Sequence, residues 1–293
     1  MCMYTVFDTI IQGLLLGGFF AISGLGLSLS FGIMRIVNIA HGDLLVVASY
    51  LGVVFVAQTG MNPLLAIPVI VVAMAALGYV LQRTVLNRAP VGNELSPMLI
   101  TFGLSIILHN VLQETFSADF KGLDAGPIEV ESLDLGGIHI GWLPLAVLLL
   151  ALGLFAALHA LLAHTLFGRM VRATVDDPEV VSLMGVDPKR VYALGMALSM
   201  GIVGLSGALY GIKSSFNPMS GGDQLLFAFE TVIIGGMGSV WGTLAGGIAL
   251  GLSHMLGLSV VGAGWGAFTG HCMFFAFLAV RPNGLLSRGA SHG

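Results

Sequence analysis

The chain has 293 residues, 56% of them hydrophobic and 9% charged, and its formal net charge is -4. Soluble domains carry roughly 25% charged residues, so the composition excludes an ordinary soluble domain and indicates an integral membrane protein. The sequence contains no cluster of basic residues, which argues against nucleic acid as a partner.

Long uncharged apolar runs recur along the whole chain. Because such runs can cross a hydrocarbon core of ~30 Å as helices, they predict an all-α fold, a polytopic transmembrane helical bundle of about eight spans with broken helices. We expect residues 1–293 to form a single transmembrane domain in the lipid bilayer. The first residues include Asp8 and no Lys or Arg, so we expect the first helix to be retained rather than cleaved as a signal peptide.

The first predicted span covers residues 9–30, and a polar stretch follows it. Residues 44–56 are apolar but short for a span, so we expect residues 36–40 to extend them. That extension would place Asn38, and could place His41, inside the bundle, where a polar side chain must face protein or water.

The middle of the chain alternates spans with two soluble pieces. Further spans are predicted at residues 61–82, from 98 onward, at 142–164 and at 191–212. Between the fourth and fifth spans, residues 114–141 hold six of the fifteen acidic residues. Alternating residues 128–131 and 138–140 around a Gly136-Gly137 turn predict a small β-hairpin there.

The apolar run of residues 225–258 is interrupted at Gly235 and Gly236. We expect two short membrane segments there, and the alternative is one long tilted helix. In the last span, residues 261–280, Cys272 is expected to be a small buried residue rather than a ligand or nucleophile. With the N terminus outside and alternating spans, nine of the eleven Lys and Arg residues are cytoplasmic, as the positive-inside rule requires.

Residues 167–190 carry eight charged residues between two apolar spans. A start signal at Asp177 to Glu179 and a stop signal at Gly185 predict a short helix, Pro178 to Met184. So short a helix is marginal in water and needs a surface to pack against, which could be a groove on another protein or the chain's own helix ends. Its apolar face is formed by Val180, Val181 and Met184.

Glu230 is the one acidic residue well inside a predicted span, and an intramembrane carboxylate is a functional candidate by default. It could meet an ammonium group or a cation in transit, or it could pair with His254 or with a backbone N–H freed at the glycine break. Gly235 and Gly236 could supply unwound backbone beside a substrate path or serve only close packing. No metal site is predicted, because the histidines form no ligand cluster, and no phosphate-binding loop for ATP is present.

Several segments resemble the membrane permease subunits of branched-chain amino acid ABC importers. They are Gly26 to Gly32, Asn38 to Asp43, Arg172 to Pro178 with Gly185 to Asp187, Gly235 to Ser239, and Arg281 to Leu285. The resemblance covers nearly the whole chain and implies a permease of the bacterial inner (plasma) membrane, with no catalytic residue and no cofactor of its own. It also implies a second, similar permease subunit, a periplasmic binding protein that delivers substrate, and two ABC ATPase subunits that use the ATP.

The resemblance assigns the charged central segment as the loop that couples a permease to its ATPase. The residues expected to act there are Asp176, Asp177, Pro178, Glu179, Val180, Met184, Gly185 and Asp187. The residues expected along the substrate path are Asn38, His41, Glu230, Gly235 and Gly236.

Alternatives to this assignment remain open at the level of sequence. Glu230 stands where the family more often carries an uncharged residue, so urea or a short amide is an alternative substrate. An ion-coupled secondary transporter is a second alternative, and Glu230 is its best candidate for an ion site. An intramembrane enzyme is disfavoured, because no acid pair, metal cluster, or nucleophile with a base occurs at recognisable spacing.

Overall fold

The computed structural model describes residues 2–88, 95–134, 139–262, 264–282 and 284–286. Within these residues the chain is almost entirely helical. In the described part of the chain, seven helices are long and apolar enough to cross a membrane, and Gly266–Val280 is a shorter apolar helix. The predicted polytopic helical bundle is therefore confirmed.

The first half of the chain is four long helices and a small hairpin region. In order these are α1 (Cys2–Met34), α2 (His41–Thr59), α3 (Pro63–Thr84), a 3-10 turn (Leu86–Arg88), α4 (Leu95–Phe116), α5 (Pro127–Val130), β1 (Ser132–Asp134) and β2 (His139–Gly141). The second half is helical apart from its connections. It contains α6 (Trp142–His164), α7 (Leu166–Asp176), α8 (Pro178–Leu183), α9 (Pro188–Lys213), a 3-10 turn (Pro218–Ser220), α10 (Gly221–Gly235), α11 (Val240–Val260) and α12 (Gly266–Val280).

The predicted extension of the second span by residues 36–40 is wrong. The chain leaves the α1 helix after Met34, and Arg35 takes a left-handed conformation with φ of 54°. α2 exceeds the apolar run of residues 44–56 by three residues at each end, and Gly60 caps it in a left-handed conformation. Asn38 and His41 are nevertheless buried, as expected of polar groups at this depth.

The acidic segment forms a hairpin, but its first strand lies further along the chain than predicted. Residues 127–130 form the short helix α5, which Pro127 starts. The strands that pair are β1 and β2, antiparallel, with Leu133 opposite Ile140. The predicted turn at Gly136 and Gly137 lies outside the described residues.

Two compact units are distinguished within the chain, and the first comprises residues 1–28, 126–155 and 227–293. Its helices α1 and α11 meet along glycines spaced four residues apart on both sides. A Cβ added to Gly13 or Gly17 would lie 2.8 Å from Leu252 Cα or 2.7 Å from Ile248 Cα, respectively. Small residues at this spacing let two membrane helices approach closely, which is how helices associate where lipid removes the hydrophobic driving force.

Helix α12 belongs to the same unit and packs on α11 through Thr269. The Thr269 hydroxyl donates to the Ser253 carbonyl over 3.1 Å, and the Ser253 hydroxyl donates to the Thr269 carbonyl over 3.0 Å. Cys272 is exposed. The prediction that Cys272 is buried is therefore wrong, because α12 is covered mainly on its other face.

The second unit comprises residues 29–125 and 156–226 and is built around α9. On one side α9 contacts α3, where Gly78 lies against Met196 and Met200. On another side it contacts α2, and the Ser49 hydroxyl donates to the Gly207 carbonyl over 2.7 Å. α9 is largely buried by these contacts, so it forms the core of the unit.

Candidate functional site

The charged segment between α7 and α9 contains the predicted short helix, and both of its ends are capped. Asp177 Oδ1 accepts hydrogen bonds from the N–H groups of Glu179 and Val180, over 2.9 and 3.0 Å. At the other end Gly185 is left-handed, with φ of 83°, and the Val186 N–H donates to the Val181 carbonyl. This pattern is a Schellman-type end, so start and stop both agree with the sequence.

The surface of α8 divides between a buried residue and an exposed apolar face. Val181 is only 4% exposed and packs against its own chain, whereas Val180 is 50%, Leu183 87% and Met184 77% exposed. The apolar face predicted from the sequence included Val181 and left out Leu183. The face presented to the outside is Val180, Leu183 and Met184.

The remaining residues of the predicted coupling loop support the position of α8. Asp176 is the last residue of α7, an amphipathic helix that the sequence analysis did not identify. Asp187 starts α9 by accepting from the Lys189 N–H over 3.0 Å, and its other oxygen lies 3.5 Å from Arg190 Nε. The short helix is therefore held between two capped helices rather than on a free loop.

In the break between α1 and α2, side chains accept hydrogen bonds from backbone N–H groups. The Asn38 side chain accepts from the Ala40 N–H over 3.1 Å, and Thr101 Oγ1 on α4 accepts from the Ile39 N–H over 3.2 Å. Asn38 and His41 are both buried, and the His41 N–H donates to the Asn38 carbonyl over 3.2 Å. No described residue offers Asn38 Nδ2 a hydrogen-bond partner.

A buried carboxylate lies directly after this break. Asp43, in the first turn of α2, accepts from the Ser105 hydroxyl of α4 over 2.5 Å. Gly42 and Gly221 permit close approach of two backbones here, because a Cβ on either would overlap its neighbour. Gln224, one turn further along, has a buried Oε1 that no described residue contacts by a hydrogen bond.

Three residues beside this break, Asp43, Ser105 and Gln224, were not predicted as site residues from the sequence. Asp43 follows His41 in the same polar stretch of sequence, which was a usable signal. Ser105 and Gln224 belong to other helices, and no local pattern relates them to Asp43. The charge together with donors and acceptors could bind a small polar or zwitterionic molecule.

Glu230 pairs with His271 rather than with His254. The distance between Glu230 Oε1 and His271 Nδ1 is 2.5 Å, and Glu230 is 1% exposed. Phe227 stacks on the His271 ring at 5.7 Å between centroids, with an angle of 14° between the rings. The second oxygen of Glu230 has no hydrogen-bond partner among the described residues.

The glycine break after α10 is closed by backbone from the end of the chain. The N–H groups of Leu285 and Leu286 donate to the carbonyls of Ile234 and Gly235, over 2.8 and 3.1 Å. Gly236 is left-handed, with φ of 101°. The carbonyls of Ile234 and Gly235 are therefore already bonded within the chain.

No group of three or more His, Cys, Asp or Glu residues in the described part of the chain could hold a metal ion.

The chain is similar to permease proteins of known transport systems. Residues 9–279 match the family described as branched-chain amino acid transport system / permease component. The chain is 24% identical to the high-affinity branched-chain amino acid transport system permease protein BraD of Pseudomonas aeruginosa, over 98% of this chain and 97% of the relative. It is 25% identical to the corresponding permease protein LivH of Escherichia coli K12, over 94% of both chains. It is also 28% identical to the fructose import permease protein FrcC of Rhizobium meliloti, over 77% of this chain and 64% of the relative.

Proposed function

We propose that this chain, which belongs to the branched-chain amino acid transport permease family, is the translocating subunit of an ABC importer for branched-chain or related amino acids. The chain is a multi-pass protein of the inner (plasma) membrane. The observation that carries the proposal is the family match over residues 9–279, with relatives that align over nearly their whole length. We propose further that the chain is not an enzyme, because moving a substrate requires no change in its covalent bonds.

The partners that this function requires are a periplasmic binding protein, a second, similar permease subunit and two ABC ATPase subunits. The chain needs no cofactor of its own under this proposal, because ATP is used by the ATPase subunits. The sequence supports that division of labour, since it has no phosphate-binding loop.

Helix α8 is the proposed contact with an ATPase subunit. An isolated helix of this length is marginal in water, yet α8 is capped at both ends and exposes apolar side chains at Val180, Leu183 and Met184. Fully burying a side chain such as Val or Met contributes about 1.5–3 kcal/mol, so covering this partly exposed face would stabilise a complex by a few kcal/mol. An amphipathic helix that docks its apolar face in a partner's groove has this form.

The polar group after the first helix break is the proposed lining of the substrate path. Asn38 and His41 belong to it, and to these we add Asp43, whose carboxylate suits the ammonium group of an amino acid. Interrupted membrane helices commonly bind substrate in transporters, since they present polar backbone at membrane depth. For Glu230, Gly235 and Gly236, which the sequence predicts along the substrate path, we propose a packing role within the first unit, because most of their polar groups are engaged there.

Reconstitution tests the transport proposal. This permease, the second permease subunit and the ATPase subunits are placed in proteoliposomes with the binding protein, and uptake of labelled leucine is measured with and without ATP. We expect uptake that needs ATP and the binding protein and that persists when proton and sodium ionophores are present. Uptake by the permease alone that an ionophore abolishes would contradict the proposal.

A substitution on α8 tests the ATPase contact separately. Val180→Asp places a charge in the desolvated contact, and an unpaired buried charge costs several kcal/mol. We expect copurification of the ATPase to fall by at least about tenfold and uptake to be lost, with normal accumulation of the permease. Ser182→Asp, an equal change of charge off the apolar face of the same helix, should leave both nearly unchanged. Equal behaviour of the two variants would remove α8 from the contact.

A further inference from the structure

A cationic cleft lies within the second unit, where the end of α3 meets the start of α9. Its volume is about 250 Å³, and its charged and aromatic lining is Tyr79, Arg83, Arg88, Asp187, Lys189 and Arg190. The Asn87 side chain donates to the Lys189 carbonyl over 3.3 Å and so ties the two helix ends together. None of these residues belongs to the proposed substrate path or to the apolar face of α8.

Charge in the cleft is strongly unbalanced. Four side chains are cationic and one is a carboxylate, which leaves three net positive charges. The carboxylate of Asp187 is already engaged by the Lys189 N–H and lies 3.5 Å from Arg190. Among the described residues no carboxylate forms an ion pair with Arg83, Arg88 or the Lys189 ammonium group.

One of the cations is held in a fixed position. Arg83 Nη1 donates to the Tyr79 hydroxyl oxygen over 2.8 Å, and the guanidinium carbon lies 5.9 Å from the centre of the Tyr79 ring. These contacts leave other guanidinium N–H groups, and the phenolic hydrogen, as donors. A guanidinium positioned in advance binds a phosphate group with little loss of conformational freedom.

The position of the cleft on α3 indicates the kind of anion. Leu65 and Val72 precede Tyr79 by 14 and 7 residues, so all three lie on nearly the same face of α3. Both Leu65 and Val72 are exposed. An acyl chain could lie along this apolar stripe while the phosphate group of the same molecule reaches Arg83. Tyr and Arg at the end of a membrane span are typical of the level of lipid headgroups.

We propose that this cleft binds the phosphate headgroup of an anionic membrane phospholipid, such as phosphatidylglycerol or cardiolipin. Basic pockets between membrane helices on the cytoplasmic side are suited to such headgroups. The bound lipid would neutralise the cations beside Asp187 and would hold the end of α3 against the start of α9, next to α8.

Native mass spectrometry of the purified full chain tests the proposal. Titration compares phosphatidylglycerol, cardiolipin, phosphatidylcholine and inorganic phosphate. We expect the two anionic lipids to bind at least about tenfold more tightly than phosphatidylcholine. Arg83→Gln with Lys189→Gln should remove most of that preference, whereas the charge-preserving pair Arg83→Lys with Lys189→Arg should retain most of it.

A control variant, a comparison with inorganic phosphate and addition of the ATPase distinguish lipid binding from a general charge effect, a soluble anion and a protein contact. Arg169→Gln with Arg281→Gln removes two exposed cations elsewhere and should leave the preference intact; an equal loss in this control would show a general charge effect and overturn the proposal. Inorganic phosphate that binds as tightly as the lipids would overturn it in favour of a soluble anion. Loss of the lipid on addition of the ATPase would overturn it in favour of a protein contact at the cleft.

Discussion

Two of the breaks between apolar helices, the one between α1 and α2 and the one after α10, are closed by different means. Between α1 and α2 the N–H groups of Ile39 and Ala40 are bonded by side chains, those of Thr101 and Asn38. After α10 the carbonyls of Ile234 and Gly235 accept from the backbone N–H groups of Leu285 and Leu286. A helix break alone therefore does not identify a substrate site, and what distinguishes the first break is the set of polar side chains from α2 and α4 that surround it.

The difference has a physical basis. When backbone N–H groups donate to the carbonyls that a helix break leaves free, those carbonyls are satisfied within the chain, and the result is a packed structural joint. When side chains bond the free backbone groups instead, the site also contains other polar side chains that can donate or accept hydrogen bonds. At the first break these include the carboxylate of Asp43. We therefore expect substitutions at the first break to affect transport and substitutions at the second to affect stability.

The largest expected effect is on transport, from Asp43→Asn. The amide can still accept the hydrogen bond from Ser105, so folding should survive, but the negative charge is lost. A hydrogen bond to a charged group contributes about 1.5–3 kcal/mol, and uptake should fall roughly tenfold to a hundredfold at equal permease abundance. Asp223→Asn, an exposed carboxylate on α10, is the matched control and should transport normally.

The second break should respond in the opposite way. In Gly235→Ala the new methyl group would overlap the backbone of Gly242, so one of the two helices must shift. We expect a loss of stability of about 2 kcal/mol or more, seen as lower accumulation and aggregation at lower temperature in detergent. Uptake per molecule of surviving permease should change little. Gly222→Ala meets no atom within 4 Å and should behave like the wild type.

A double-mutant cycle on the Glu230 and His271 pair gives an intermediate effect on stability. Either Glu230→Gln or His271→Gln disturbs the hydrogen bond between the two side chains and can leave a buried polar group without its partner, at a cost of about 1–3 kcal/mol. If the pair is a structural joint, the double variant should cost no more than the more harmful single variant. Melting in detergent measures this coupling. A fall in uptake per molecule for Glu230→Gln but not for His271→Gln would instead assign the carboxylate to the substrate.

Much of the architecture could be predicted because its signals are local. Apolar length predicts the spans, and the short helix α8 could be located because Asp177 and Gly185 are caps that act within a few residues. The burial of Asn38 followed from the cost of leaving a polar group in lipid.

Contacts between distant parts of the chain could not be predicted in the same way. Glu230 and its partner His271 are 41 positions apart, and the histidine that the sequence predicted as a partner was His254. The amphipathic helix α7 was missed because its charges were assigned to a loop. The burial of Val181 was not predicted, because the apolar pattern of a helix does not show which of its residues packs against the rest of the chain.

The smallest expected effect concerns the backbone at the first break, and it compares two variants of Arg35. Arg35 has φ of 54°, a conformation that glycine adopts freely and that other residues adopt at a cost of about 1 kcal/mol or more. Arg35→Gly and Arg35→Ala both remove the charge, so the difference between them isolates the backbone. We expect the glycine variant to be more stable by about 1 kcal/mol, as measured by thermal aggregation in detergent. At the second break the corresponding Gly236→Ala should be destabilising, since Gly236 has φ of 101°. Equal stability of the two Arg35 variants would mean that residue 35 relaxes out of the left-handed region, and the first break would then be a flexible connection rather than a fixed one.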